Sequence, residues 1–214
     1  MVIAGAGGFG NEVLGYATDA ALAGWPHNVV GFFDDDRAAL RSRDTDLQVI
    51  DALESADFGS NDVLIAVGDP AARRRIRIAV AAAGGRLVSL IHPRSYVAAG
   101  ARIGAGVIVA PGAFVGAYST VAANCVVNVM ATVGHDAGLG ADCVLSPHAA
   151  LGGFAHVGEG VMLGTQAVLD PGVSVGAWSK VAAASVVTGD HPAGSMLVGN
   201  PARGRVMFRG PDEP

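Results

Sequence analysis

The sequence has no run of basic residues and no long apolar segment, and both absences restrict what the protein does. The 14 Lys and Arg residues are outnumbered by 19 Asp and Glu residues, so the net charge is −5 and the isoelectric point is near 5.6. A nucleic-acid partner is not expected, because such proteins carry basic patches. No apolar stretch is long enough to span a membrane, and polar Asn11–Glu12 interrupts any signal-peptide core. We therefore expect a cytoplasmic protein.

Aromatic residues are also scarce, at 6% of the chain, whereas glycine is abundant, with 31 of 214 residues. A strict period explains both features. From Val97 to Val187 every sixth residue is aliphatic, over sixteen positions without a break. The next residue is usually glycine or another small residue, and the residue four positions after each aliphatic one is also small. A fixed period of this kind determines the fold before local propensities do.

A period of six residues fits neither an amphipathic helix nor the alternation of a half-buried strand. It fits a chain that forms a short strand and then turns a corner, so that three sides close one triangular coil. The aliphatic residues then fill a narrow interior, and glycine suits the corners, where the chain bends tightly. The period therefore predicts a hexapeptide-repeat parallel β-helix, roughly 25 Å long at about 4.8 Å per coil. Cys125 and Cys143 fall one coil apart at inward positions, and we interpret them as buried apolar side chains.

Residues 1–91 show a different pattern, in which short apolar strands alternate with helical segments. This alternation predicts an α/β domain with a small Rossmann-like parallel sheet covered on both faces. We place the β-helix domain at 92–214, with a C-terminal tail from Gly189. The expected elements of the first domain are strands at 1–4, 29–33, 47–50, 62–67 and 86–91, and helices at about 11–23 and 73–83.

The first predicted strand leads directly into Gly5–Gly10, which has the pattern G-x-G-x-x-G. Exposed backbone N–H groups at the start of a helix favour a phosphate, and parallel strands gather their ligand contacts at their carboxyl ends. A domain of about 90 residues is half of a dinucleotide fold, so a nucleotide sugar fits better than NAD; a tight turn without a ligand is the alternative. The predicted substrate-binding residues are Gly7, Gly8, Phe9, Asp34, Asp35, Gly68 and Asp69.

Polar residues interrupt the repeat at Asn128, His135 and Asp136. His135 follows an inward valine by two positions, so its side chain should point outward. The residue one coil later in the same column is Gly153, which leaves an open groove for a thin ligand. Asp136 can accept a hydrogen bond from the imidazole and raise its basicity. The alternative is a surface His–Asp pair without a role.

Other histidines raise the question of a metal site. His148 and His156 stand at different positions of the repeat from His135, so the three do not form a column. Zinc needs imidazoles that converge on one point. We therefore expect no metal.

Seven short motifs follow one another along nearly the whole chain, and each alone is common. They are Val2–Gly10, Phe32–Asp36, Gly68–Asp69, His92–Pro93, Gly134–Asp136, Leu145–Pro147 and Val198–Arg203. As a set they resemble the bacterial hexapeptide-repeat acetyltransferases of the sialic acid O-acetyltransferase type. Within that group the chain is most similar to N-acetyltransferases that act on nucleotide-linked 4-amino-4,6-dideoxysugars.

The resemblance implies a left-handed β-helix that forms a homotrimer, with acetyl-CoA in the groove between neighbouring β-helices and the nucleotide sugar on the N-terminal sheet. It also implies that His135 is the general base, that Asp136 supports it, and that Asn128 holds the acceptor. The expected contacts to acetyl-CoA come from Gly153, Asn200, Pro201 and Arg203. A backbone N–H of Gly152 or Gly153 is the candidate oxyanion donor.

The resulting hypothesis is an acetyl-CoA-dependent N-acetyltransferase that acts on an amino-dideoxysugar nucleotide by direct transfer. A sugar O-acetyltransferase, a non-catalytic nucleotide-sugar-binding trimer and a nicotinamide-dependent enzyme are the alternatives. Two positions depart from the family pattern. Phe9 stands where the family usually has histidine, and Val144 stands where it often has a second histidine, while His148 occurs four residues later.

Overall fold

The computed structural model of the protein describes residues 1–40, 45–208 and 210. In this part of the chain no helix is both long enough and apolar enough to cross a membrane. The N-terminal region is a parallel five-stranded sheet with the order β3-β2-β1-β4-β5 and two helices. Its elements are β1 (Val2–Ala4), α1 (Gly8–Leu22), β2 (Gly31–Phe33), β3 (Val49–Asp51), β4 (Asp62–Ile65), α2 (Pro70–Ala82) and β5 (Arg86–Leu87).

The two helices cover opposite faces of this sheet. Val13 and Ala17 of α1 pack with the side chains of β1, β2 and β4 that point to one face. Ile76 and Val80 of α2 pack with the side chains that point to the other face. The sheet is therefore buried on both sides, which confirms the predicted small α/β domain.

The described residues from β6 onward form a left-handed parallel β-helix with three faces, which we name by their numbers of strands. The six-strand face holds β7 (Tyr96–Val97), β10 (Phe114–Val115), β13 (Thr132–Val133), β16 (Ala150–Leu151), β19 (Val168–Leu169) and β22 (Val186–Val187). The five-strand face holds β8 (Arg102–Ile103), β11 (Thr120–Val121), β14 (Gly138–Leu139), β17 (His156–Val157) and β20 (Ser174–Val175). The eight-strand face holds β6 (Leu90–Ile91), β9 (Ile108–Val109), β12 (Val126–Val127), β15 (Val144–Leu145), β18 (Met162–Leu163), β21 (Lys180–Val181), β23 (Ser195–Gly199) and β24 (Ala202–Val206).

Each coil from β6 to β22 contains eighteen residues, since Val133 pairs with Leu151 and the other strand pairs in this range keep the same offset. The last coil is shorter, because Val181 pairs with Leu197. From β7 to β22 the second residue of each two-residue strand points inward, and these aliphatic side chains form one continuous core. Cys125 and Cys143 lie inside this core as free thiols, and burial raises the pKa of the Cys143 thiol well above its usual value. The predicted interior is confirmed.

The corners have a different physical basis from the predicted one. Where glycine follows the aliphatic residue, successive coils approach too closely for a side chain: a Cβ on Gly134 would lie 2.6 Å from the backbone nitrogen of Gly153. The tight bend falls two residues later, where non-glycine residues such as Tyr118, Asp136 and Phe154 have φ near +60°. Side chains therefore project from the corner positions, which matters for the candidate site.

Several predicted boundaries are wrong. The single strand expected at 86–91 is two elements, because β5 ends the N-terminal sheet and β6 begins the β-helix. The helices α1 and α2 each begin three residues before their predicted starts. The predicted tail contains a β-hairpin, since β23 pairs with β21 and β24 returns antiparallel to β23. Leu197 of this hairpin is fully buried and closes the C-terminal end of the β-helix core.

The N-terminal region packs on the β-helix through a buried arginine. Arg73 of α2 is fully buried, and its guanidinium donates to the carbonyl oxygen of Asn124 at 2.8 Å and 2.7 Å and to its Oδ1 at 2.8 Å. It also donates to the carbonyl oxygens of Ile65 and Val67, at 2.7 Å and 3.0 Å. Burial lowers the pKa of Arg73 to about 10, so the group stays charged at neutral pH.

A second arginine extends this contact. Arg77 pairs with the buried carboxylate of Asp142, with Nη2 and Oδ2 2.6 Å apart, and this bond raises the pKa of Arg77. Asn124 joins the two arginines, because its Nδ2 donates to Oδ1 of Asp142 at 2.6 Å. Asn124 and Asp142 stand one coil apart at the corner between the five-strand and eight-strand faces. The network thus fixes α2 against one edge of the β-helix.

We predict that Arg73→Met destabilises the protein by about 3 to 5 kcal/mol, because three buried acceptors and one partly buried acceptor lose their donor. Arg75→Met is the matched control, since Arg75 lies on the exposed side of the same helix and its loss should cost less than about 0.5 kcal/mol. Denaturant unfolding of both variants measures the difference. Equal stabilities would show that the Arg73 network does not hold the two regions together.

Candidate active site

His135 lies at the corner between the six-strand and five-strand faces, in the loop from β13 to β14. Its side chain points outward and is 62% exposed, as predicted from its position in the repeat. Nδ1 lies 2.9 Å from Oδ2 of Asp136. Because a carboxylate only accepts hydrogen bonds, this contact assigns the ring proton to Nδ1 and leaves Nε2 as the basic nitrogen. Among the described residues Nε2 has no hydrogen-bond partner.

The imidazole is held by the next coil. It lies directly over Gly153, where a Cβ would be 2.6 Å from Nε2. The ring of Phe154 meets the imidazole edge-on, with ring centroids 5.1 Å apart. The sequence reasoning missed Phe154; the available signal was an aromatic residue one coil after Asp136 in a chain with few aromatics. Three groups therefore orient the imidazole: a carboxylate, a ring edge and a bare glycine.

The two candidate oxyanion donors differ in their hydrogen bonds. The N–H of Gly152 donates to the carbonyl oxygen of Leu169 at 2.9 Å, so it is already occupied. The N–H of Gly153 makes no hydrogen bond in the described part of the chain. Gly153 is therefore the residue of this pair whose N–H is available to a bound group next to Nε2.

A groove of about 480 Å³ begins at His135 and continues toward the earlier coils. Its floor consists of small residues, among them Gly134 and Ala117, and its far wall is an aromatic pair. The rings of Tyr96 and Phe114 are stacked, with centroids 5.2 Å apart and planes 14° apart. This groove is the cavity that contains the predicted base.

Asn128 is not beside His135 within one chain. It lies in the loop from β12 to β13, at the opposite edge of the six-strand face, and its Oδ1 accepts the N–H of Val129 at 2.7 Å. His148 lies at the same corner as Asn128, one coil later. Val144 is buried between the β-helix and α1, so the position of the family's second histidine is closed in this chain.

The other histidine considered for a metal site points from a third surface. His156 belongs to β17 on the five-strand face. Across residues 1–40, 45–208 and 210, no three His, Cys, Asp or Glu side chains are grouped so that they could share a metal ion.

The glycine turn gives α1 an open N-terminus. Gly7 is the N-cap residue and supplies no side-chain cap, and Cβ atoms at Gly7 and Gly8 would meet nothing within 4 Å. The amide of Asn11 donates to the carbonyl oxygens of Ala6 and Gly7, at 2.8 Å and 2.9 Å, and so fixes the turn. The first N–H groups of a helix lack intrahelical acceptors, which makes this end suited to a phosphate. Phe9 is partly buried against the core under α1.

The carboxylates predicted at this edge already hold backbone groups. Asp34 accepts the N–H of Ala6 at 2.7 Å and the N–H of Asp36 at 2.9 Å, which ties the end of β2 to the glycine turn. Asp35 accepts the N–H of Leu53 at 2.9 Å. Each carboxylate oxygen has two lone pairs, so these bonds leave acceptor sites for a ligand hydroxyl.

Gly68 and Asp69 lie at the carboxyl end of β4, next to the glycine turn in the sheet order. Oδ1 of Asp69 accepts the N–H of Ala72 at 2.9 Å and caps α2. The N-terminus of α2 is thus occupied by its own carboxylate, whereas that of α1 is open. Of these two helix N-termini, that of α1 is therefore the one left open to an anion.

The C-terminal motif forms the turn of the hairpin β23–β24. Asn200 and Pro201 are exposed at this turn, and Arg203 pairs with Val198 across the hairpin. Arg203 lines a shallow depression of about 300 Å³ with Arg205 and Met207. These residues lie at the C-terminal end of the eight-strand face.

Comparisons with known proteins show which sequences and folds this chain resembles. Residues 1–80 match the family model described as the PglD N-terminal domain. The acetyltransferase domain of PglB from Neisseria gonorrhoeae FA1090 is 35% identical, with a TM-score of 0.83, over 94% of this chain and 97% of that one. PerB from Caulobacter crescentus, solved with CoA and GDP-perosamine, is 31% identical, with a TM-score of 0.86, over 95% of this chain and 96% of that one. The comparison with curated protein sequences returned no match.

The chain belongs to the hexapeptide-repeat sugar acetyltransferase family. The PglB domain has also been solved in complex with acetyl-CoA. Because identity extends over nearly the full length of both solved proteins, the family assignment applies to the N-terminal region and to the β-helix together. The predicted family is confirmed.

We predict that Gly153→Ala displaces the imidazole of His135, since the added methyl group would occupy the space next to Nε2. Nitrogen NMR of the ring should show the proton on Nδ1 in the unsubstituted protein and a loss of this preference in the variant. Gly189→Ala is the matched control, because nothing lies within 4 Å of a Cβ at Gly189. An unchanged ring spectrum in Gly153→Ala would contradict the observed ring position.

Proposed function

We propose that this protein is an N-acetyltransferase that transfers the acetyl group of acetyl-CoA to the amino group of a nucleotide-linked amino sugar. The observation that carries the proposal is the outward His135–Asp136 pair over the bare Gly153, on a chain related to PglB and PerB. The open N-terminus of α1 supports binding of the nucleotide phosphates to the N-terminal sheet. Relatives solved with acetyl-CoA or CoA support the choice of donor.

The proposed chemistry uses the two ring nitrogens of His135 in different roles. The amine nitrogen attacks the thioester carbonyl, and the cationic nitrogen that forms must lose a proton. Nε2 of His135 takes this proton, while Asp136 holds the Nδ1–H and stabilises the charged ring. The N–H of Gly153 stabilises the negative oxygen of the intermediate, which then collapses to the amide and CoA thiolate. No protein nucleophile is needed, and Cys125 and Cys143 are buried away from the groove.

The test is acetyl transfer from acetyl-CoA to GDP-perosamine and to UDP- and dTDP-linked 4-amino sugars, followed by thiol release and product mass. We predict that His135→Ala lowers kcat at least about a hundredfold, the contribution typical of a general base. Its affinity for acetyl-CoA should stay nearly unchanged in calorimetry. His156→Ala, an exposed histidine on another face, is the control and should keep full activity. Near-normal turnover of His135→Ala would show that His135 is not the general base.

We further propose that the protein acts as a homotrimer whose sites lie between subunits. Two of the three faces are accounted for, since the N-terminal region covers the eight-strand face and polar side chains dominate the five-strand face. The six-strand face is open and mainly apolar, and it carries exposed Tyr96 and Phe114. If this face points to a threefold axis, the His135 corner of one copy meets the Asn128 corner of the next. Such an arrangement supplies the acceptor-binding amide that one chain does not bring to the base.

We predict that mixed trimers of Asn128→Ala and His135→Ala chains regain about one third of normal activity, because one site in each mixed trimer has both residues intact. Coexpression with two affinity tags isolates the mixed species, and native mass spectrometry measures the subunit number. His135→Ala chains mixed with the double variant Asn128→Ala/His135→Ala are the control and should stay inactive. No recovery in the first mixture would place Asn128 outside the site or both residues in one subunit.

A further inference from the structure

The groove on the earlier-coil side of His135 is larger than an acetyl group requires. Its floor is bare for a structural reason: a Cβ on Gly116 would lie 2.7 Å from the backbone nitrogen of His135. Close packing of the coils therefore excludes side chains here, and Ala117 adds only a methyl group. The wall formed by Tyr96 and Phe114 is carbon over most of its surface, and in a single chain these side chains are 57% and 42% exposed. Both lie on the six-strand face, so in the proposed trimer the groove runs along the boundary between subunits.

We propose that this groove holds the acyl chain of donors longer than acetyl, so that the enzyme also transfers short linear acyl groups such as propionyl and butyryl. The inference rests on the proposed function, because it takes the thioester carbonyl to lie at Nε2 of His135. Its substrate class is a saturated acyl-CoA, and its new site is the apolar groove between His135 and the aromatic pair.

The direction in which the groove runs from His135 supports an acyl chain as its occupant. The predicted contacts of the CoA arm, Gly153 and the C-terminal hairpin, lie on the later-coil side of His135. In an extended acyl thioester the CoA arm and the acyl chain leave the carbonyl carbon in opposite directions. The acyl chain then points toward the earlier coils, over Ala117 and toward Phe114. The groove there offers mainly apolar contacts, and the polar groups of its lining side chains are the imidazole of His135 and the hydroxyl of Tyr96.

The reaction is unchanged by the longer chain. The amine nitrogen forms a bond to the acyl carbonyl carbon, and the carbon–sulfur bond breaks. The amine proton passes to Nε2 of His135 and then to the leaving thiolate, which departs as CoA thiol. The product is the acyl amide of the amino sugar, and no oxidant, reductant or further reactant is required.

The affinity of the protein for acyl-CoA donors tests the proposal without the acceptor sugar. Each buried methylene improves binding about fourfold, so butyryl-CoA, which has two more methylenes, should bind about fifteenfold more tightly than acetyl-CoA. Calorimetric titration with CoA, acetyl-CoA, propionyl-CoA and butyryl-CoA gives this ranking for the full-length protein. Transfer of the butyryl group to GDP-perosamine, followed by product mass, then checks that the bound donor is productive.

Two matched substitutions test where the acyl chain of the donor binds. Ala117→Leu fills the groove beside His135 and should bring the ratio of butyryl-CoA to acetyl-CoA affinity to about one or below. Ala99→Leu places the same side chain one coil earlier in the same column, outside the groove lining, and should keep the ratio found without substitution.

Three results would overturn the inference. Equal affinities for acetyl-CoA and butyryl-CoA in the unsubstituted protein would show that the groove does not receive the acyl chain. An unchanged ratio in Ala117→Leu would place the chain elsewhere, and an equal loss for all four ligands would mean that the groove holds the CoA arm. Failure to bind any of the four would instead reject the proposed function itself, so the two failures are distinguishable.

Discussion

The close approach of successive coils is the constraint on which the rest of this molecule depends. Adjacent parallel strands are held at a fixed spacing by their backbone hydrogen bonds, and at several positions directly after a strand this spacing leaves no room for a Cβ. Glycine at positions such as Gly134 and Gly140 satisfies that limit. The same limit keeps the surface beside His135 free of side chains. A packing requirement of the scaffold thus produces the groove in which the candidate chemistry takes place.

The corner residues with left-handed backbone supply the polar and aromatic groups of the surface. Asp136 and Phe154 occupy consecutive positions of one corner column and hold the imidazole of His135 from two sides. In another column, Asn124 and Asp142 hold the arginines of α2. Corner residues with left-handed backbone therefore have two roles: at one corner they orient the candidate base, and at another they anchor the N-terminal region.

The N-terminal region and the β-helix divide the proposed reaction between them. The open start of α1 is suited to the phosphates of the acceptor, and the corner at His135 is suited to the thioester. Their relative position is fixed by a buried arginine rather than by apolar contact alone. A buried charge tolerates few alternative arrangements, because any shift of α2 would leave the guanidinium without acceptors.

The sequence alone was enough to predict the β-helix, its buried cysteines, the outward His135 and the bare Gly153 above it, because an uninterrupted period fixes the direction of every side chain in the repeat. It also predicted the small parallel sheet and the family. It could not predict the Arg73 network, the edge contact of Phe154 or the hairpin at the C-terminus, because these contacts join residues that no local pattern relates. The separation of Asn128 from His135 was likewise decided by the tertiary structure, since only the closure of three faces places the two residues at opposite edges of one of them.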